Sequence, residues 1–415
     1  MHISIQDAAA QSLQVLAAGK LYAPEEIPGP VAVVLEGTTI RDIWRGTDAA
    51  TAMRRLTVQM PDATVEVTDL GSWCLAPGFI DLHTHGFCGH DVTTGSQDDV
   101  EAMARELPRT GVTSFFPTIA TLGRPETRPQ VQRIAAAAEN QGRASAAEIL
   151  GLRLEGPFIS RAEKGAQYEP GIRLPDPSEM EELAEAGRGW VRIVDYAPEE
   201  DVEARFLATV VRLGILACLG HTAATYEQAM RAIDGGARHA THLFNAMAPL
   251  EHRAPGVVGA MLTDRRATIE LIADGIHIHP AIARLVIAAR GFRDVALITD
   301  AVAPAGLPEG DYEFVGRKIT VCCGAIRLAS GSLAGSMLTL DGAVRNIVTF
   351  TGIGWSEAIS MATHVPATIA GVALRKGRIA PGADADLVAL DDHGFVQRTW
   401  VHGHPAYQGA PGKDS

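Results

Sequence analysis

Six residues of this chain are of the types that hold metals or move protons, and they sit in matching settings. His83 and His85 enclose Thr84 at the end of an apolar run, PGFIDLHTHG. In a strand, residues i and i+2 point to the same side, so both imidazoles can face one metal. Glu155 ends the run ILGLRLE, and Gly156-Pro157 stops it. His221 follows Gly220 after GILACL, His242 lies in ARHATHLFNAM, and Asp300 closes VALITD. Singly, each has an ordinary explanation. A lone strand-end histidine is usually a hydrogen-bonded loop residue, a Glu before Gly-Pro a turn residue, and Asp300 a helix cap. Together they are not ordinary, because a fold that gathers strand ends at one mouth makes all six converge. Imidazole and carboxylate without thiolate suit Zn²⁺ or Fe²⁺. Cys88 is a candidate extra ligand, against the plainer reading of a small buried or loop residue.

The elements that must position these groups can be read as well. Strand-length apolar runs occur at PGFIDLHTHG, GVTSFFPTI, ILGLRLEGPF, VRIVDYAPE, GILACLGHT, ARHATHLFNAM, ATIELIADGIHI and VALITDAVAP. Helical stretches separate most of them, among them DDVEAMARELPRT, PSEMEELAEAG and TYEQAMRAIDGG. Buried strands alternating with helices predict an α/β fold, a (β/α)8 TIM barrel, over residues 76–375. That span of ~300 residues exceeds the typical ~250 and leaves room for inserts. Residues 1–75 and 376–415 carry short Val-, Ile- and Thr-rich segments, such as VAVVLEG and DADLVALD. Neither end has enough strands alone, so the two are expected to form one small β-sandwich domain.

The same segments resemble a known family. PGFIDLHTHG at 77–86, LEGPF at 154–158, LGHTAATYEQA at 219–229 and THLFNAM at 241–247 carry the resemblance. HRAPGVVGA at 252–260, ADGIHIHP at 273–280 and LITDAVAPAG at 297–306 continue it. The chain is similar to the amidohydrolase superfamily, and within it to the N-acetylglucosamine-6-phosphate deacetylase family. The resemblance implies one or two divalent metals per subunit. His83 and His85 hold the first, a site that some members lack. Glu155 bridges toward the second, held also by His221 and His242. Many amidohydrolases bridge with a carbamylated lysine on strand four, but VRIVDYAPE has none, and Glu155 is the substitute. The HxH pair favours two metals. Asp300 takes the catalytic role, accepting a proton from water and passing it to the leaving amine.

The implied substrate is a phosphorylated amino sugar. Asn245, the Ala246 N–H, Arg253 and His277 hold its phosphate, with Arg253 able to bind two oxygens at once. By resemblance His277 reaches across from the neighbouring subunit, implying a homodimer with shared sites. Residues 330–346 lie near the sugar by resemblance, against a plain tight turn at Gly335 and Ser336. One position departs from the family. Its Lys-Gly-Ala-His stretch, whose histidine touches substrate, reads Lys164-Gly165-Ala166-Gln167 here. Gln167 donates hydrogen bonds but carries no charge. Either a second metal then polarises the substrate, or the sugar differs. The rival readings are the N-acetylgalactosamine counterpart, a different amidohydrolase, and a non-catalytic metal-binding barrel scaffold. The phosphate set and the missing lysine count against a different amidohydrolase, and the complete ligand set counts against a scaffold.

Composition bounds the partners. Of 415 residues, 36 are Lys or Arg and 49 are Asp or Glu, a formal charge of −13. That excludes the basic footprint nucleic acid or an anionic membrane requires. A phosphate needs only local donors. No run of about 18 apolar residues occurs, so no transmembrane helix is expected. Residues 1–20 lack a basic start, so no signal peptide is expected either. Five scattered cysteines predict no disulfide framework and a reducing cytoplasm. A second HxH, His402 and His404 in the C-terminal tail, lacks strand-end partners and is expected to be surface rather than a metal site.

Overall fold

The structure is a computed structural model, and it describes residues 12–142 and 145–409. The first eleven residues of the stretch read as leaderless, and tail residues 410–415, lie outside them. Eight parallel strands form a barrel: β1 Phe79–Thr84, β2 Val112–Ala120, β3 Leu152–Glu155, β4 Val191–Tyr196, β5 Leu216–Leu219, β6 His239–Ala240, β7 Thr268–Leu271 and β8 Val295–Leu297. Each pairs in parallel with the next. A single parallel bridge between Thr84 and Ala301 closes the ring. Both faces of such strands are covered, which is why β2 is buried at every residue and shows no polar–apolar alternation. The expected barrel is present.

Helices fall where the sequence places start and stop signals. Gln97–Glu106 is opened by a Ser96/Asp99 capping box. Pro177–Ala186 is capped by Asp176, whose side chain accepts from the Ser178 N–H. Tyr226–Gly235 is opened by a Thr225/Gln228 box and ended by Gly236 at φ 117°. Each such cap contributes about 1 kcal/mol.

Two strands are shorter than expected. β6 stops at Ala240, and THLFNAM leaves the sheet as a turn with His242, Phe244 and Ala246 at positive φ. β8 stops at Leu297, so Asp300 sits three residues past the strand. His221, His242 and Asp300 have φ of 48°, 27° and 49°. Non-glycine residues held in that region store strain and cluster at functional sites.

The two ends of the chain share one eight-stranded sheet. Its joint is the antiparallel pair of Cys74–Pro77 with Leu387–Leu390. One apolar face buries Leu16, Val31, Leu387 and Trp400, and the other packs Leu13, Val15 and Val34 on helix Ala49–Gln59 through Ala52 and Leu56. His402 corrects the reading of the tail. His404 is exposed, but His402 is buried with Nε2 3.1 Å from Glu148, beside strand β2, because the turn carrying it folds onto the barrel wall. Lys376, with a side chain 1% exposed, fills the middle of this cluster, 2.7 Å from Glu148 and 3.2 Å from Asp384, and also pairs with Asp386. Arg375 also pairs with Glu148 and Asp384, so Lys376 is above all the cation of buried Asp386. Replacing Lys376 with Met leaves Asp386 without its cation and is expected to cost about 3 kcal/mol in chemical denaturation. A loss under about 1 kcal/mol would show that solvent already screens the cluster.

A four-stranded antiparallel sheet, Gly310–Phe314, Arg317–Cys322, Ala325–Leu328 and Leu333–Ser336, is inserted after β8. It stands over the mouth of the barrel, as the lining of the pocket below shows.

Candidate active site

The C-terminal ends of the strands bring the six candidate residues together. His83 and His85, two apart on β1 and just after it, place their Nε2 atoms 3.1 Å from each other. Glu155 lies between the two groups. Its Oε2 is 3.0 Å from His85, and its Oε1 is 3.4 Å from His83, 3.1 Å from His221 and 2.9 Å from His242. Asp300 Oδ1 is 3.3 Å from His85 and 3.5 Å from His83. Two ligand sets result, His83–His85–Glu155–Asp300 and Glu155–His221–His242, and every residue of both is buried.

The chemistry of this donor set fits cations. His85 Nδ1 lies 3.0 Å from the Thr118 carbonyl and His221 Nδ1 2.9 Å from the Glu163 carbonyl. A carbonyl only accepts, so Nδ1 carries the proton and Nε2 turns a lone pair to the cluster. His83 Nδ1 is 3.4 Å from Glu270 Oε2. Glu270 is in turn held by Arg153, whose guanidinium also reaches Asp195, Thr241 and the Leu82 carbonyl. Arg153 and Glu155 are two apart on β3, so the same face of one strand supplies both the ligand and the arginine layer beneath it. The sequence reading missed this layer. Its signal was the presence of Arg153 and Glu270 inside otherwise apolar strands.

The electrostatics say the same. Burial pushes Glu155 and Asp300 up, but His83 and His85 outweigh it and hold both carboxyls below their usual range. Burial and Arg153 pull His83 down, yet Glu155 and Asp300 prevail and raise it to about 10. Burial likewise lowers His85, and the same carboxylates bring it to about 9. Without a cation the site takes protons instead. Raised histidines stabilise the metal-free fold at low pH, and that contribution is lost as pH rises through about 9 to 10. A metal entering at pH 8 must expel these protons. About two protons should be released per chain, and metal affinity should rise with pH. Calorimetry in buffers of different ionisation enthalpy measures this. A buffer-independent heat would contradict it.

The ligand sets open into a cavity of ≈ 250 Å³. Ala166, Gln167, Asn245, Ala246 and His277 line it, as do Phe314, Ser332, Leu333 and Gly335 of the inserted sheet. The 330–346 segment is thus both wall and turn. Gly335 has φ 70°, and a Cβ there would lie 2.6 Å from Val302 and 2.9 Å from the Asp300 carbonyl. Gln167 is buried, accepts the Thr121 N–H at 2.7 Å and donates to Glu155 Oε2. His277 lines the pocket of its own chain, fixed by Asp274 at 2.6 Å. Arg253 is exposed and off the wall, because the loop after THLFNAM runs outward. Cys88 packs against Gly306 outside both ligand sets.

Known proteins resemble this chain in sequence and in fold. The amidohydrolase family model matches residues 74–406. The N-acetylgalactosamine-6-phosphate deacetylase of Escherichia coli O157:H7 is 39% identical over 342 residues, 82% of this chain and 90% of that protein. The N-acetylglucosamine-6-phosphate deacetylase of Bacillus subtilis (strain 168) is 37% identical over 334 residues, 80% of this chain and 84% of that one. A mutant N-acetyl-D-glucosamine-6-phosphate deacetylase of Mycobacterium smegmatis, solved with N-acetyl-D-glucosamine-6-phosphate, superposes with TM-score 0.87 at 32% identity, covering 96% of this chain and all of that one.

Proposed function

The chain belongs to the amidohydrolase family, and from that premise we propose that it hydrolyses the acetamide of N-acetylglucosamine 6-phosphate to glucosamine 6-phosphate and acetate. The observation that carries this reading is Glu155 shared between two buried ligand sets, with Asp300 beside them at the floor of an open pocket. His83 and His85 would hold one divalent cation and His221 and His242 a second, with Glu155 belonging to both ligand sets. The ligand types suit Zn²⁺ or Fe²⁺. Such a cation supplies Lewis acidity, making water more acidic and an amide carbonyl more electrophilic.

The chain's own groups do the rest. Asp300, kept ionised by the neighbouring histidines, takes a proton from the attacking water. The water oxygen joins the carbonyl carbon, the C–N bond breaks, and Asp300 returns the proton to the departing nitrogen. Products are acetate and the free amine. Asn245, the Ala246 N–H and His277 face the phosphate. No Arg or Lys is among the described residues lining the pocket, and Arg253 is exposed. A homodimer in which Arg253 of a second copy reaches the pocket supplies the missing charge. Five unpaired cysteines suit a reducing cytoplasm. No described helix is long and apolar enough to cross a membrane.

N-acetylgalactosamine 6-phosphate is the second reading, favoured by the 39% identity to the Escherichia coli enzyme of that name. Acetate release from the two 6-phosphates and from both unphosphorylated sugars decides the matter. Faster release from the glucosamine compound, and little without phosphate, is expected. The reverse preference would select the second reading. Equal rates with and without phosphate would remove the phosphate contacts.

A further inference from the structure

Gln167 is not needed to hold a sugar in order to matter, because both ends of its amide are already engaged. Its oxygen accepts the Thr121 N–H, which fixes which end faces the metal ligands. Its NH₂ therefore points at Glu155 and donates to Oε2. The two oxygens of Glu155 are consequently unlike. Oε1 faces His83, His221 and His242 and has no other partner there, whereas Oε2 faces His85 and is shared with the amide. The loop carrying Gln167 is itself anchored. The Glu163 carbonyl binds His221 Nδ1, and Arg317 of the inserted sheet donates to the Ala166 carbonyl. One loop thus orients two ligands of the same set.

We propose that Gln167 is a positioning residue that makes the two cation positions unequal. Its amide turns Glu155 so that Oε1 serves the His221/His242 position, and it draws electron density from Oε2, the oxygen left for the His83/His85 position. The His221/His242 position binds the tighter cation and the His83/His85 position the weaker. A hydrogen-bond donor on a ligating carboxylate lowers its strength as a ligand, and partners of this kind change metal affinity by about 10–100-fold. This rests on the reading that the two ligand sets hold cations, as given under the proposed function.

The test is titration of the metal-free protein with Co²⁺, followed by calorimetry and by the visible absorption of each bound ion. The unmodified chain should show two steps, or one step alone if the second lies beyond reach. In Gln167→Leu the ratio of the two dissociation constants should shrink by about tenfold or more, with the tighter step weakening, or a second step should appear. Gln167→Met keeps the length of the side chain and removes the donor without adding a charge, so it covers the case in which the Leu variant fails to fold, and its ratio should shrink too. An unchanged ratio, equal weakening of both steps, or a single step in every variant would overturn the proposal. Acetate release is followed in parallel. Activity with an unchanged ratio would refute the role of Gln167 and leave the proposed function standing. A chain that binds no cation would remove both.

Discussion

Asp300→Asn is expected to lower kcat by about 10²–10⁴-fold, the range supplied by a positioned acid–base group. KM and metal content should change little. Asn keeps the size of the side chain, so the turn at φ 49° and the contact of Asp300 with the Ser336 N–H through its carbonyl are preserved. What is lost is the only part the reaction needs, an ionised carboxylate at the cavity floor that can take and return a proton. Its ionised state is built in, since His83 and His85 outweigh the burial that would otherwise protonate it. Steady-state kinetics with elemental analysis separates the outcomes. A near-normal kcat would take Asp300 out of the proton path, whereas loss of metal would make it mainly a ligand.

Glu155→Gln should be at least as damaging, through a different cause. The amide matches the carboxylate in shape but brings no charge, and it would stand among four imidazoles that all face Glu155 at 3.4 Å or less. Both ligand sets share this one residue, so both cations should weaken together, by more than the about 100-fold seen for loss of an outer partner. Acetate release should fall with the metal content. The histidines should respond as well. Glu155 is a principal cause of the raised His83 and His85, so its removal lowers them and reduces the protons released on metal loading at pH 8. A variant that keeps full metal occupancy would show that Glu155 is not the shared ligand.

The barrel and its mouth were legible because they follow from periodicity. Buried strands flanked by helices announce a parallel sheet, and HxH places two imidazoles on one side of a strand whatever surrounds them. Glu155 was legible because Gly156-Pro157 ends the strand at that point. What escaped depended on chain direction beyond the strand. THLFNAM reads as more strand because Leu243, Phe244 and Met247 continue an apolar run, yet the chain turns there through His242, Phe244 and Ala246 at positive φ, which no propensity marks. Arg253 was assigned by resemblance, and resemblance does not say that its loop runs outward, away from the pocket of its own chain. The Arg153–Glu270 layer escaped because charges inside a barrel pair across strands 117 residues apart. His402 escaped for the same reason, its partner Glu148 belonging to a strand at the barrel wall.

Stripping the protein with a chelator and restoring Zn²⁺ or Fe²⁺ stepwise, while measuring acetate released from N-acetylglucosamine 6-phosphate, tests the central claim most directly. Release should vanish on stripping and return in proportion to metal bound. Undiminished release from the stripped chain, or none from the fully reloaded one with any of the 6-phosphates, would contradict it.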